Sequence, residues 1–240
     1  LTDQQRRDSM ACYGNRWIQT PNLNRLSEQS FVFENAYVTQ PVCTPARGSI
    51  MTGLYPQTSG IVRNAIPLPR DMDTIAEMVS DDYVCAHLGK WHLGNDLAPQ
   101  HGFEHWVSTD GYGVDNGRKI ENDYFKFLRQ NGIQTPTFTD GYEGPDGYEG
   151  FAPRAKLSKD LTPAAFLAEE TAKFIANHST TNPGRPFLIF ANFFEPHPPY
   201  TGPLNGIYSP DDIEVGPSFL KRPENGSLIN QLRADYYLAG

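Results

Sequence analysis

The stretch Pro186-Phe187-Leu188-Ile189-Phe190-Ala191-Asn192-Phe193-Phe194 is an almost continuous apolar run with the length of one β-strand. An unbroken apolar run suits a strand in the middle of a sheet that helices cover on both faces. In open α/β sheets, ligands gather at the carboxyl ends of the strands. The residues that follow Phe194 are therefore the first place to expect chemistry.

Helices and strands are predicted to alternate before this run. Thr162-Pro163 combines a capping residue with a first-position proline, which predicts a helix that extends to about Asn177. The other expected elements are a helix that starts at Thr20-Pro21 with Leu23 and Leu26 on one face, a strand at 31–38, a helix at 73–80 with Ile75, Met78 and Val79 inward, and a strand at 83–88. The pattern predicts an α/β fold with a mixed, largely parallel sheet flanked by helices on both faces.

The composition limits the function classes. The 240 residues are 38% hydrophobic, which allows a sizeable core. The net charge of −8 argues against general affinity for nucleic acids or anionic membranes. Three cysteines exclude a disulfide scaffold, although a single Cys12–Cys85 bridge stays open. There is no apolar run of the roughly 18 residues that a transmembrane helix needs.

Residues 102–159 are rich in glycine, tyrosine, aspartate and asparagine and show weak periodicity. They contain the near-duplicates Asp140-Gly141-Tyr142-Glu143-Gly144 and Asp146-Gly147-Tyr148-Glu149-Gly150. The region is interpreted as a loop-rich insertion within the domain. Its repeat forms either a solvated double turn or the aromatic wall of a substrate cleft.

The stretch Pro41-Val42-Cys43-Thr44-Pro45-Ala46-Arg47-Gly48-Ser49 places Cys43 at the start of an expected helix that runs to Gly53. Pro45 suits a first helical turn because its φ is fixed and it has no N–H to satisfy. Free N–H groups and the helix dipole favour an anion beside Cys43, and the Arg47 guanidinium matches sulfate or phosphate oxygens. A tetrahedral oxyanion site is predicted, with a buried cysteine before an ordinary helix as the alternative.

Two further motifs follow predicted strands. Gly89-Lys90-Trp91-His92-Leu93-Gly94 comes after the strand at 83–88, and Lys90 and His92 point to the same side if the chain stays extended. Glu195-Pro196-His197-Pro198-Pro199-Tyr200 begins where the apolar run stops, and its prolines restrict the backbone around His197. Solvated side chains at strand ends are the alternative for all three residues.

The motif around Cys43 continues into Thr52-Gly53-Leu54-Tyr55-Pro56, and together with the motif at 89–94 it resembles the type I sulfatases of the alkaline phosphatase superfamily. The resemblance implies an alkaline phosphatase-like fold, of which the chain covers the N-terminal half. It also implies that Cys43 is oxidised after translation to formylglycine. The hydrate of this aldehyde offers one hydroxyl as nucleophile and a second that later expels sulfate.

The same resemblance implies a role for each candidate residue. Arg47 and Lys90 contact the sulfate oxygens, and His92 is the base that acts on the covalent intermediate. His197 binds sulfate and helps to protonate the leaving alcohol. This division is chemically sound because lysine stays cationic, whereas a neutral imidazole accepts a proton near pH 7. The expected catalytic set is Cys43, Arg47, Lys90, His92 and His197.

The resemblance further implies a divalent metal held by Asp3, Gln4 and the modified Cys43. Calcium is favoured, with magnesium second, because hard cations take carboxylate and amide oxygens. Zinc is disfavoured, since the chain has no Cys/His cluster with zinc spacing. A solvated Asp-Gln pair near the chain terminus is the alternative.

The implied function is hydrolysis of a sulfate monoester, on a sulfated small molecule or glycan, after maturation by a formylglycine-generating enzyme. Two alternatives stay open: a phosphonate monoester or phosphodiester hydrolase of the same superfamily, and a noncatalytic sulfated-glycan binder with Cys43 unoxidised. Residues 1–240 are expected to form the N-terminal part of a catalytic domain that is incomplete at both ends. Because metal ligands and a second lysine are then expected beyond Gly240, we expect little turnover from this chain alone. The resemblance suggests a periplasmic, secreted or lysosomal protein.

Overall fold

The computed structural model describes residues 1–110, 113–115, 118–133, 157–197, 203–204 and 206–213. The chain divides into two units, Leu1–Pro203 and Leu204–Gly240. In the second unit, the described residues include the 3₁₀ helix Pro210–Asp212. The sheet, the hydrophobic cores and the candidate site all belong to the first unit.

In the described chain, four helices precede four strands, and two further helices precede the last strand, so the predicted alternation is only partly present. The described α-helices are α1 (Pro21–Glu28), α2 (Cys43–Thr52), α3 (Pro56–Ser59), α4 (Ile75–Met78), α5 (Asp123–Gln130) and α6 (Pro163–Thr181). The described strands are β1 (Val84–Gly89), β2 (His105–Ser108), β3 (Gly113–Asp115), β4 (Arg118–Ile120) and β5 (Phe187–Asn192). Within the described residues, no helix combines the length and the apolar character that crossing a membrane requires.

The main sheet is parallel and has the order β2-β1-β5. Ala86 in the central strand β1 lies opposite His105 of β2 and Ile189 of β5. The amino group of Leu1 donates to the carbonyl of Ala191 (2.8 Å), and the N–H of Phe193 donates to the carbonyl of Leu1 (2.8 Å). Residues 1–3 therefore run beside the carboxyl end of β5. Strands β3 and β4 form a separate antiparallel pair.

Hydrophobic clusters cover both faces of the sheet. Ala86 and Leu88 of β1 pack with residues of α5 and α6, including Phe125 and Leu167. Cys85, which points to the other face, belongs to a second cluster. Its other buried members are Met51, Ile61, Leu68, Ala76, Trp91, Leu93 and Phe103. This arrangement confirms the predicted α/β class, with a largely parallel sheet between layers of helices.

Several local predictions are wrong. Residues 31–38 form no strand, because no described segment pairs with their backbone. The side chains of Phe31 and Tyr37 are 83% and 90% exposed. In α4, Ile75 and Met78 are exposed and Ala76 is the buried residue. The helix is shorter than predicted, and Val79, the third residue expected to point inward, is partly buried and packs against the second cluster. Leu26 of α1 is also exposed.

The predicted insertion at 102–159 overlaps parts of the main fold. Strand β2 joins the sheet, and Tyr124 and Leu128 of α5 are buried in the core. Both copies of the Asp-Gly-Tyr-Glu-Gly repeat lie outside the described residues. The extent of an insertion within 102–159 stays a prediction.

Candidate active site

Four segments meet at the carboxyl end of the parallel sheet. They are residues 1–3, the first turn of α2, the loop after β1 and the loop after β5. Because Leu1 pairs with β5, Asp3 lies just past the end of that strand, and its N–H donates to the carbonyl of Glu195 (3.3 Å). This is the edge at which α/β sheets place their ligands.

Helix α2 holds Cys43 at its first position. Cys43 is half-buried, and the N–H of the next residue, Thr44, donates to Oδ1 of Asn64 (3.0 Å). Along its side, the helix packs so closely that a Cβ on Gly48 would lie 2.9 Å from Cδ1 of Ile61. The helix that carries Cys43 is therefore fixed at its amino end and along one side.

The chain leaves β1 through Gly89, whose φ is +100°. A Cβ at this position would lie 2.1 Å from the carbonyl oxygen of Asn192 in β5, so only glycine fits. The N–H of Lys90 donates to the same carbonyl oxygen (3.1 Å). This close approach fixes the point from which the Lys90 side chain starts.

Lys90 and Arg47 both contact the carboxylate of Asp3. Lys90 Nζ lies 2.7 Å and Arg47 Nη2 lies 3.3 Å from Asp3 Oδ2, and the three residues are only 2%, 5% and 8% exposed. Burial by itself raises the pKa of Asp3. The hydrogen bond from Lys90 and the charges of Lys90, Arg47 and His197 outweigh burial and hold this pKa below its usual value. Two buried cations thus face one carboxylate, an excess of positive charge that favours a bound anion.

The backbone and a ring hold the two cations in place. Arg47 Nη1 donates to the carbonyl of Lys90 (2.6 Å), which ties α2 to the loop after β1. Lys90 Nζ lies 4.8 Å from the ring centre of Phe194, within the range of a cation–π contact. The loop after β5 therefore contributes to the position of Lys90.

His92 has a left-handed backbone, with φ of +59°. The extended conformation on which the same-side prediction for Lys90 and His92 depends is therefore not the one adopted. The N–H of His92 donates to Oδ1 of Asp96 (2.7 Å), and its carbonyl accepts from Oγ1 of Thr44 (3.1 Å). Burial and the charge of Lys90 lower the pKa of His92, which favours the neutral imidazole.

His197 lies with Asp3 and Cys43. One potential ligand atom from each of the three residues lies within 4.8 Å of those of the other two, in a group that could hold a metal ion. The backbone N–H of His197 donates to the carbonyl of Phe194 (3.0 Å). Gln4 is exposed and has a left-handed φ of +61°. Of the predicted metal ligands, Asp3 and Cys43 are thus in one cluster.

Sequence reasoning missed the residues that support this site. Asp96 holds the backbone of His92, Asn64 holds that of Thr44, and Phe194 lies against Lys90. Asp96 could have been noticed because a polar residue four positions after a candidate base can reach back to its backbone. Asn64 lies 20 residues from its partner, and nothing in the sequence signals that contact.

Comparison with known families identifies the family of this chain. A family profile described as Sulfatase matches residues 1–216 of the 240. The chain belongs to the sulfatase family. This membership confirms the resemblance that the motifs around Cys43 and Lys90 indicate.

Individual sulfatases match parts of the chain. It is 31% identical over 144 residues to an N-acetylglucosamine-6-O-sulfatase of Bacteroides thetaiotaomicron, which covers 58% of this chain and 25% of that protein. An ulvan-active sulfatase of Formosa agariphila is 27% identical over 229 residues, which cover 91% of this chain and 39% of the relative. This chain therefore spans well under half of these relatives.

A solved structure shows the same fold. The phosphonate monoester hydrolase of Agrobacterium radiobacter matches with a TM-score of 0.68 and 22% identity, covering 89% of this chain and 44% of the hydrolase. At this level of identity the likeness concerns the fold alone. It supports the alkaline phosphatase-like architecture expected from the motifs.

Proposed function

We propose that the protein hydrolyses a sulfate monoester at the site formed by Cys43, Arg47, Lys90, His92 and His197. The observation that carries the proposal is the buried contact of Arg47 and Lys90 with Asp3, beside Cys43 at a helix start. Family membership supports the reaction class.

Arg47 and Lys90 would bind the sulfate oxygens. Both are fixed before any substrate arrives, Arg47 by the carbonyl of Lys90 and Lys90 by Asp3 and Phe194. Charges that are fixed in advance stabilise a developing negative charge without the cost of reorganisation. The N–H groups of the first turn of α2 add to this field.

His92 and His197 would handle protons. His92 is the proposed base, because its lowered pKa keeps the ring neutral and able to accept a proton. His197 lies close to Cys43 and is proposed to contact the sulfate and to help protonate the departing alcohol. The different surroundings of the two rings are consistent with different roles.

Two groups would be added to the chain. Formylglycine formed from Cys43 would supply a hydrated aldehyde whose hydroxyl acts as the nucleophile. The metal is proposed to be Ca²⁺, which would offset negative charge on the sulfate. Asp3, Gln4 and an oxygen at residue 43 provide suitable hard donors for part of its shell. With sulfur still at residue 43, the Asp3, Cys43 and His197 donor set is closer to the preference of zinc, so calcium binding is expected to depend on the conversion.

The test begins with the 240-residue chain coexpressed with a formylglycine-generating enzyme. Mass spectrometry of the Cys43 peptide is expected to show the aldehyde. The exposed Cys12 provides the matched control: Cys43→Ala is expected to abolish hydrolysis of an aryl sulfate, and Cys12→Ala to leave the rate unchanged. A thiol that persists at Cys43, together with binding of sulfated glycans without hydrolysis, would support the noncatalytic alternative.

Paired substrates separate the two hydrolase classes. The same aryl leaving group is presented as a sulfate ester and as a phosphonate monoester, and the ratio of the two kcat/KM values is measured. We expect the sulfate to react faster. Equal or faster hydrolysis of the phosphonate would instead assign the site to a phosphonate monoester hydrolase. Because the ratio compares two substrates of the same chain, it separates the two classes even if the absolute rates are low.

A further inference from the structure

The backbone of His92 needs external support. A left-handed φ in a residue other than glycine costs about 1 kcal/mol or more and persists only where neighbouring groups hold it. Here both polar groups of the His92 main chain are engaged. Its N–H donates to the carboxylate of Asp96, and its carbonyl accepts from the hydroxyl of Thr44.

The imidazole receives no comparable support. Nδ1 of His92 is buried and has no hydrogen-bond partner within the described part of the chain. A catalytic histidine is commonly oriented by a carboxylate or a carbonyl at its second ring nitrogen. Since the described residues supply none at Nδ1, the main chain of His92 is the part of the residue that the described hydrogen bonds hold in place.

Asp96 is itself fixed by the core. Its carbonyl accepts from Nε1 of Trp106 (2.9 Å), and the Trp106 ring stacks on that of the fully buried His87, with 4.3 Å between ring centres. Gln100 also donates to the carbonyls of Asn95 and Ala98, which braces the loop around Asp96. The carboxylate therefore reaches His92 from a rigid position.

Burial of the Asp96 carboxyl group also has a free-energy cost that an apolar side chain at this position would not have. Burial, together with the charge of Asp110, raises the pKa of Asp96 to about 6 against the hydrogen bond from His92. An ionised Asp96 near pH 7 is thus held in an unfavourable environment. A polar group kept despite such a cost is a candidate for a functional role.

We infer that Asp96 is a positioning residue for His92, which sets the direction of the imidazole by holding the His92 main chain in its left-handed conformation. The inference rests on the proposed role of His92 as the base. It assigns no contact between Asp96 and the substrate. The proposed role needs only an oxygen that accepts the His92 N–H, so an amide oxygen is expected to serve in place of the carboxylate.

The test compares Asp96→Ala, Asp96→Asn and, as a matched control, Asp71→Asn at an exposed aspartate. In the alanine variant, kcat on an aryl sulfate is expected to fall about 10–100-fold with KM within about twofold, as when a supporting residue of a catalytic group is lost. Asp96→Asn is expected to keep kcat within about fivefold of wild type, because its amide oxygen still accepts the bond. Asp71→Asn should behave as wild type.

A second readout does not depend on turnover. ¹⁵N-histidine labelling marks the six histidines, and the His92 amide is identified by its loss in His92→Gln. Hydrogen exchange of this amide should be slow in wild type and Asp96→Asn and faster in Asp96→Ala. If wild type hydrolyses the phosphonate monoester as fast as the sulfate ester or faster but the exchange pattern holds, the proposed function fails and the backbone support stands.

Three results would overturn the inference. One is wild-type kcat in Asp96→Ala. Another is unchanged exchange of the His92 amide in that variant. The third is an equal loss of kcat in Asp96→Asn and Asp96→Ala, which would assign the effect to charge. If Asp96→Ala does not fold, Thr44→Val is used instead, because it removes the second support of the His92 main chain. Two results together would then count against the inference: wild-type exchange and wild-type kcat in Thr44→Val, and a reduced kcat in Asp96→Asn.

Discussion

Replacing Asp3 with asparagine removes the only negative charge that the described structure places in direct contact with Lys90 and Arg47. At an effective dielectric constant of about 20, separations of 2.7 and 3.3 Å correspond to gross attractions of about 6 and 5 kcal/mol. Much of this offsets the cost of burying the charges. Breaking such a buried pair from one side costs about 3–5 kcal/mol, because the cations remain buried.

Thermal and urea unfolding, followed by circular dichroism at pH 7, measure this cost. At about 2–4 °C per kcal/mol for a chain of this size, Asp3→Asn should lower Tm by about 10 °C. Asp8→Asn is the matched control, because it makes the same chemical change in an ion pair with Arg6 at the surface, and it should leave Tm nearly unchanged.

The reasoning also predicts a rescue. In Asp3→Asn, replacing Lys90 with methionine removes one unpaired cation and should recover part of the lost stability, so the two changes are not additive. Equal Tm values for Asp3→Asn and Asp8→Asn would refute the view that Asp3 neutralises buried charge. So would full additivity of the two substitutions.

Three further outcomes follow from described contacts. Gly89→Ala should prevent folding or lower Tm by more than Asp3→Asn does, judged by circular dichroism, because the added methyl group would lie 2.1 Å from the carbonyl oxygen of Asn192. The pKa of Asp96, raised from 3.8 to about 6, means that the folded chain keeps a proton that the unfolded chain loses, so stability should fall as pH rises from 4 to 7. The pKa shift corresponds to about 3 kcal/mol of stability, or about 1–2 kcal/mol after allowance for partial exposure. Urea unfolding of wild type and Asp96→Asn across this pH range should isolate the contribution of Asp96. Parallel curves of unfolding free energy against pH for the two proteins would contradict the prediction. Glu77→Ala breaks the capping box with Thr74 and should cost about 1 kcal/mol in the same assay, more than an alanine at an exposed, uncapped position.

The fold class could be predicted because it depends on patterns within short segments. The apolar run at 186–194 becomes β5, and the proline-initiated segment after Thr162 becomes α6. Residues 31–38 carry an equally convincing strand pattern and form none. A strand needs a partner for its backbone as well as suitable side chains, and local sequence does not specify that partner.

The candidate site could also be predicted in part from the sequence. Lys90 follows β1 and Arg47 lies in the first half of the helix that starts at Cys43; each was a candidate anion contact, and the two do meet at Asp3. The left-handed conformation of His92 could not be predicted, because it depends on contacts with Asp96 and Thr44 that only the folded chain creates. The chemical roles of these residues stay predictions.

The bond from Arg47 to the main-chain carbonyl of Lys90 makes the two cations separable in mutagenesis. Shortening or neutralising the lysine side chain removes its ammonium group and leaves the acceptor of the guanidinium intact. Each cation can then be deleted while the other keeps its anchor. Single and double deletions should therefore report how affinity for an anion divides between the two groups.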